Sequence, residues 1–219
     1  MMRILADMHV HTVLSPCASR DMIPPAIVRE AARKGLAMIA VCDHNSAGNV
    51  EAVSAAARAA AAHGEDAGGA PLAVIPGMEI TTSEEAHVLG LFPDASCARA
   101  AAEEVLSSLP LWRPLSSAGS SPCTRSPEQE LVDAAGARIG FEEKMLSAAS
   151  RFTLSETVDL IHRHGGLAIA AHMDRRSFSV VSQLGFLPPG VPFDGLEISA
   201  AGVARGRAAG FVGHGPPLV

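Results

Sequence analysis

Short apolar segments alternate with helical segments along this chain, and several of the apolar segments end in histidine. Six of them are predicted to be strands, at residues 3–11, 36–42, 73–82, 86–92, 167–171 and 193–198. Helices are predicted between them, at residues 24–34, 49–63, 95–108 and 153–164. Apolar strands that alternate with helices are typical of an α/β fold whose largely parallel sheet is covered on both faces, as in a barrel or a doubly wound sheet.

The first strand carries the most informative motif, Asp7-Met8-His9-Val10-His11-Thr12. Because side chains alternate between the two faces of a strand, Asp7, His9 and His11 are predicted to point the same way. A lone histidine at a strand end is usually an ordinary surface or core residue. A carboxylate and two imidazoles on one face are costly to bury without a partner. The motif therefore favours a metal site.

Further histidines fall in or near the other predicted strands. In parallel barrels, functional side chains gather at the carboxyl ends of the strands. One mouth would then collect an unusually large set of ligands: His9, His11, His44, Glu79, His87 and His172. Imidazole and carboxylate suit Zn, Mn or Fe, and a set of this size would serve more than one ion. With no obvious nucleophile nearby, metal-activated water or hydroxide is the expected attacking group.

Length and composition limit the remaining possibilities. The 219 residues suit one domain with a sizeable core. No signal-peptide pattern or bilayer-spanning apolar run is present, and the four cysteines are interpreted as reduced thiols of a cytoplasmic protein. A net charge of −6 argues against broad nucleic-acid binding. It leaves open a small phosphorylated substrate, a nucleotide, or an oligonucleotide end held by metals.

One stretch interrupts the alternation of strands and helices. Residues 109–126 are rich in Pro, Ser and Gly, which predicts an irregular loop or excursion within a single domain over residues 1–219. Directly after it, Ser126 and Gln129 have the spacing of a capping box, which predicts the start of a short helix.

Five segments, taken together, resemble the successive motifs of the PHP (polymerase and histidinol phosphatase) domain family. They are residues 7–12, 42–45, 77–81, 87–92 and 171–175. The His-Thr-x-Leu-Ser-Pro-Cys run and the Ala-His-x-Asp-Arg run are most similar to stand-alone members. The resemblance implies a distorted (β/α)7, TIM-like barrel with two to three divalent ions (Zn, Mn or Fe) in its mouth. It also implies phosphoester hydrolysis.

The resemblance also suggests a role for each candidate residue. His9, His11 and Glu79 would hold a first ion, and Glu79 would bridge to a second that is shared with His87 and His172. A third ion would fall to His44. Asp7 and Asp43 would orient ligand imidazoles, although either could ligate directly.

Three further residues leave alternatives open. Cys17 lies where the family usually has a carboxylate, and it is either a thiolate ligand or a small buried residue. Arg175 and Arg176 follow His172 and could clamp a phosphate. The alternative for these two arginines is a solvated loop.

The sequence departs from the family pattern at its end. The family closes its metal site with a Ser-Asp-x-His type motif on the last strand, and this sequence stops at residues 215–219, where that strand should begin. The first hypothesis is a metal-dependent phosphoesterase that acts on a phosphomonoester, a nucleotide bisphosphate or an oligonucleotide end. The second is a catalytically weakened metal-binding PHP scaffold. A hydrolase of C–N bonds is less favoured, because the only two lysines, Lys34 and Lys144, lie in predicted helical or loop segments.

Overall fold

The computed structural model describes residues 4–63, 71–112, 129–213 and 216–219. Its strands are β1 (Ala6–Val10), β2 (Met38–Val41), β3 (Ala73–Thr81), β4 (His87–Leu91), β5 (Glu130–Val132), β6 (Arg138–Phe141), β7 (Leu167–Ala170) and β8 (Gly195–Leu196). Its α-helices are α1 (Pro24–Arg33), α2 (Val50–Ala62), α3 (Ala95–Ser108), α4 (Leu154–Arg163), α5 (Val180–Leu184) and α6 (Ala200–Ala204). A 3-10 helix follows at Arg207–Gly210.

Six strands form one curled sheet in the order β1-β2-β3-β4-β7-β8. The pairs β1–β2, β2–β3 and β7–β8 are parallel, whereas β4 runs antiparallel to both of its neighbours. The first residue of β4, His87, pairs with the last residue of β3, Thr81. The beginning of β4 therefore lies at the same edge as the carboxyl ends of the parallel strands. This sheet, with its helices, is a partial TIM-like barrel.

The helices begin where local sequence signals predict. Two prolines open α1, and the side chain of Asp94 accepts hydrogen bonds from two backbone amides at the start of α3. At α4, Thr153 and Glu156 form a complete capping box. The apolar face of α4 buries Val158 and Ile161 against the sheet. Burying each such side chain contributes about 1.5–3 kcal/mol.

Alternation along the strands divides the core between the two faces of the sheet. On β2, Ile39 and Val41 pack into a cluster with residues of α1 and α2. Ala40 belongs to a separate cluster with buried residues of β4 and β7. Helices thus cover one face, and this second cluster fills the inner face of the curl, as expected for a barrel strand.

The predicted strands and main helices are confirmed, with ends that differ by at most three residues. The predicted hairpin between β3 and β4 is also present, as an antiparallel pair. The sixth strand is shorter than predicted and comprises only β8. Beyond it, Leu218 forms a parallel bridge with Leu196, at the place where the seventh strand was predicted to begin.

The short helix predicted from Ser126 is wrong over the described residues. The chain instead forms the antiparallel hairpin β5–β6. Asp133 makes the turn, because its carboxylate accepts hydrogen bonds from the amides of Ala135 and Ala137, and Gly136 adopts a φ of +82°. The excursion predicted at residues 109–126 lies largely outside the described residues. Within the described part of the chain, no helix combines the length and the apolar character needed to cross a membrane.

Candidate metal centre

The ends of the sheet strands place the predicted ligands around one point. His9 and His11 lie at the end of β1, and His44 follows β2. Glu79 lies near the end of β3, and His172 follows β7. His87 joins them because β4 is antiparallel and begins at this edge.

Glu79 is the centre of this group, and its side chain is 2% exposed. Five imidazole nitrogens lie within 3.4 Å of its two carboxylate oxygens. The distances to Oε1 are 2.7 Å from His87 Nδ1 and 3.0 Å from His172 Nε2. Those to Oε2 are 3.1 Å from His44 Nδ1, 3.3 Å from His11 Nε2 and 3.4 Å from His9 Nε2. The structure therefore brings together Glu79 and all five predicted histidines.

Burial and neighbouring groups set the protonation of this cluster. Burial alone would raise the pKa of Glu79, but hydrogen bonds from the imidazoles, with those of His11 and His172 foremost, hold it well below its usual value. Burial lowers the pKa of His44 to about 4, although Glu79 acts in the opposite direction. His44 is therefore neutral at pH 7, which is the form of imidazole that binds metal ions.

Glu197 is a residue of this site that the sequence analysis did not select. Its carboxylate oxygens both lie 3.1 Å from His9 Nδ1, and one of them accepts a 2.7 Å hydrogen bond from the backbone amide of His172. Although burial lowers the pKa of His9, Glu197 and Glu79 together raise it to about 10. A signal was present in the sequence, because Glu197 lies near the carboxyl end of the strand predicted at residues 193–198, as Glu79 lies near the end of the strand predicted at residues 73–82.

Asp43 contacts the imidazole of His11 only indirectly, through another side chain. Its buried carboxylate accepts hydrogen bonds from the Ser15 hydroxyl (2.6 Å) and from the amide and hydroxyl of Thr12 (2.7 Å each). The Ser15 hydroxyl in turn lies 3.0 Å from His11 Nδ1. Asp43 thus positions His11 through Ser15. Asp7 lines the same cavity as the six clustered residues, and its carboxylate accepts a 3.3 Å hydrogen bond from the backbone amide of His9.

Several nitrogen atoms of the cluster are available to a ligand. Among the described residues, His9 Nε2, His44 Nδ1 and His172 Nδ1 are buried and make no hydrogen bond, although the first two lie 3.4 Å and 3.1 Å from Glu79 Oε2. Buried polar atoms of this kind call for an explanation. Three sets of side chains offer ligand atoms within 4.8 Å of one another: His9, His11 and Glu79; His44, Glu79 and His87; and His11, Cys17 and His44. Buried imidazole nitrogens that make no hydrogen bond, in sets of three closely spaced donor atoms, fit a site for several divalent metal ions.

Comparison with known proteins identifies the family. A model of the PHP domain matches residues 7–182, which is most of the chain. This protein belongs to the PHP domain family. A search of curated proteins gives no match.

Solved structures of similar fold include three informative ones. The lesion-specific endonuclease Q of Pyrococcus furiosus has a TM-score of 0.58 and 17% identity, over 90% of this chain and 42% of its own. A candidate metal-dependent phosphoesterase of Bifidobacterium adolescentis has a TM-score of 0.52 and 18% identity, over 92% of this chain and 81% of its own. An amidohydrolase of Chromobacterium violaceum, with bound sulfate and no metal, has a TM-score of 0.59 and 18% identity, over 97% and 84%. At these identities the likeness establishes the fold, and the chain spans less than half the length of endonuclease Q.

Strained backbone occurs at one candidate ligand of this PHP domain and at a residue that contacts another. His172 has a φ of +32° and Phe178 a φ of +59°, both in the left-handed region that side chains usually avoid. The hydrogen bond from the amide of His172 to Glu197 stabilises the conformation of His172. The Phe178 ring stacks on that of His87 at 4.7 Å, with a 13° angle between the rings. Strain of this kind persists where the surrounding structure fixes it, often at functional sites.

The candidate ligands line a cavity of about 500 Å³ in this PHP domain, which we call the metal cavity, and Arg175 and Cys17 also line it. Arg176, which the sequence paired with Arg175, lies instead on a neighbouring depression of about 680 Å³. We call this neighbour the arginine depression. Its lining includes Arg175, Arg176, Arg205 and Arg207. The last two are functional candidates that the sequence analysis missed, because they come from a segment without a motif.

Proposed function

We propose that this PHP domain is a metal-dependent phosphoesterase. The observation that carries the proposal is the convergence of five imidazoles on the buried Glu79, with three of their buried nitrogens making no hydrogen bond. Two to three divalent ions, Zn, Mn or Fe, would be held by His9, His11, His44, Glu79, His87 and His172. Bound there, such ions would supply Lewis-acid activation of water and would neutralise charge on the phosphoryl oxygens.

The side chains behind these ligands fix their positions. The contact of Glu197 with Nδ1 of His9 leaves Nε2 facing the cavity, and the link from Asp43 through Ser15 does the same for His11. Carboxylates that orient ligand imidazoles in this way raise metal affinity and set ligand geometry. The arrangement supports a site organised before the ions bind.

The arginines favour a substrate with more than one anionic group. Arg175 reaches the metal cavity and could hold the reacting phosphate. The arginine depression adjoins this cavity through Arg175 and Ser199, which line both. Its four arginines face one acidic lining residue, Asp174, on a protein whose net charge is −6. We therefore place nucleotide bisphosphates and oligonucleotide ends ahead of simple phosphomonoesters.

One of the similar structures is consistent with this order of substrates. A complex of endonuclease Q contains a 27-mer duplex substrate with an abasic lesion at the active site, and its TM-score to this chain is 0.54. The alternative to turnover is a metal-binding PHP scaffold with weakened catalysis. This alternative is the second hypothesis drawn from the sequence.

Metal analysis of the purified protein, together with a phosphoester panel, separates the two functions. The panel holds an aryl phosphate, a nucleotide 3′,5′-bisphosphate and a short oligonucleotide, and each is assayed with Zn, Mn and Fe. We expect bound metal and hydrolysis, both abolished or strongly reduced in His172→Ala. His63→Ala, at an exposed position at the end of α2, is the matched control and should behave as the parent. Stoichiometric metal without hydrolysis would support the scaffold, and unchanged turnover in folded His172→Ala would overturn the assignment.

A further inference from the structure

Cys17 lies in the wall of the metal cavity, where it departs from the carboxylate that the family pattern leads one to expect. It offers its sulfur within 4.8 Å of ligand nitrogens of His11 and His44. We propose that these three side chains form a thiolate-containing site that selects Zn²⁺ or Co²⁺ over Mn²⁺. His11 and His44 also lie beside Glu79, so the sulfur of Cys17 is the donor that sets this site apart. The inference deepens the proposed function and rests on the same metal cavity.

The backbone around Cys17 fixes the position of its sulfur. Ser15 donates a backbone hydrogen bond to Thr12, and Ala18 donates one to Ser15, so the segment is a tight turn. The Ser15 hydroxyl joins this turn to Asp43, and it also accepts a 3.0 Å hydrogen bond from the amide of His44. The turn that carries Cys17 is therefore joined directly to both histidines of the proposed site.

The spacing of the three donors suits a single small ion. In a tetrahedral zinc site, bonds of about 2.0–2.3 Å place neighbouring donor atoms about 3.3–3.6 Å apart. At the observed limit of 4.8 Å, about 1.2–1.5 Å would be closed by side-chain rotation. The fourth position of such a site remains open to water or substrate, as in catalytic zinc sites.

The donor chemistry predicts the preference. Thiolate is a soft ligand that favours Zn²⁺ and Co²⁺, whereas Mn²⁺ and Mg²⁺ favour oxygen. Binding through Cys17 breaks the S–H bond, forms the metal–sulfur bond and releases the proton to solvent. Of the other cysteines in the described part of the chain, Cys42 is fully buried and Cys97 lies on α3, away from the cavity lining. They do not compete for this role.

Cobalt spectroscopy tests the site without any assay of turnover. The full-length protein loaded with Co²⁺ should show thiolate-to-cobalt charge-transfer absorption in the near ultraviolet, in addition to the visible d–d bands. Cys17→Ser should lose the charge-transfer absorption, keep the visible bands and bind about one fewer Zn²⁺ per chain, with Mn²⁺ binding unchanged. Cys97→Ser is the matched control and should retain all of these signals.

The outcomes separate this inference from the proposed function. An absent charge-transfer band, or a band that persists in Cys17→Ser, would overturn the thiolate site even if phosphoesters are hydrolysed. A band that depends on Cys17 would support the site even if no substrate on the panel is turned over. As a second readout, Zn²⁺ should protect Cys17 from alkylation by iodoacetamide and Mn²⁺ should not. Equal alkylation of Cys17 with and without Zn²⁺ would also contradict the site.

Discussion

At the scale of single residues, one buried carboxylate organises the site. Glu79 contacts five imidazoles. The orientation of the imidazole rings depends on other side chains, which contact the rings on the side away from Glu79. Glu197 is the clearest case, since it contacts the His9 ring and the strained backbone of His172 at once. A site held from behind in this way should depend on Glu197 almost as strongly as on a ligand.

Glu197→Gln tests this dependence. The amide keeps the shape of the side chain but removes the charge that faces His9 Nδ1, so we expect metal affinity to fall about 10- to 100-fold. Competition against a chelating fluorophore measures the change. Glu143→Gln, at an exposed position before Lys144, should leave affinity unaltered. If both variants bind metal as the parent does, Glu197 has no part in positioning the site.

The sequence predicted the residues that meet around Glu79 better than the residues that position them. His44 and His172 could be found because each follows an apolar strand, a pattern that can be seen along the chain. Glu197 follows a strand of only two residues, and its role depends on a contact with His9, 188 positions away. The role of Ser15 between Asp43 and His11 likewise appears only when separate segments meet.

At the scale of elements, β3 requires close backbone packing just before Glu79. A Cβ atom on Gly77 would lie 2.8 Å from the sulfur of Cys42, and 3.0 Å and 3.1 Å from backbone oxygens of Gly90 and Val41. Backbone atoms of neighbouring strands cannot move away cheaply. A side chain at Gly77 would therefore push β3 out of register with its neighbours and displace Glu79.

Gly77→Ala should destabilise the protein by about 1–3 kcal/mol and lower its metal content. Gly140→Ala is the matched strand control, because the nearest atom to its Cβ would be a Leu131 methyl at 3.8 Å. That change should stay within about 0.5 kcal/mol of the parent. Urea unfolding measures both. Equal midpoints for the two variants would show that the packing at Gly77 is not critical.

The direction of the strands and the location of the hairpins were the parts of the fold that the sequence predicted least well. The apolar run of β4 is the same whether the strand is parallel or antiparallel, and only the short connection through Ser83 to Glu85 indicated a hairpin. The hairpin β5–β6 was missed because the stretch before it is Pro- and Ser-rich, and because a capping-box spacing at Ser126 competed with the turn residues around Gly136. Local signals of equal strength cannot decide between such alternatives.

At the scale of the whole molecule, charge is unevenly distributed. The protein is acidic overall, yet four arginines line one depression beside the metal cavity. These arginines come from two segments, after β7 and after α6, which the fold brings together. Such a local excess of positive charge attracts anionic substrates to the site.

Arg205→Ala tests the role of this depression. Loss of one charge-assisted contact should raise the KM for a nucleotide bisphosphate about 10-fold with little change in kcat, because binding alone is affected. The KM for an aryl phosphate, which has one anionic group, should not change. Arg58→Ala on α2 serves as the control. Equal effects of Arg205→Ala on both substrates would contradict a second anion position.

The central claim is that distant parts of the chain meet to hold metal ions at one rim of the barrel. Anomalous scattering from crystals of the zinc-loaded protein tests it most directly. The account predicts at least two peaks in the cavity, bridged by Glu79 and about 2.0–2.1 Å from imidazole nitrogens. Peaks confined to other histidine–carboxylate pairs, such as His162 with Asp194 or His164 with Glu104, or no peaks at all, would contradict it.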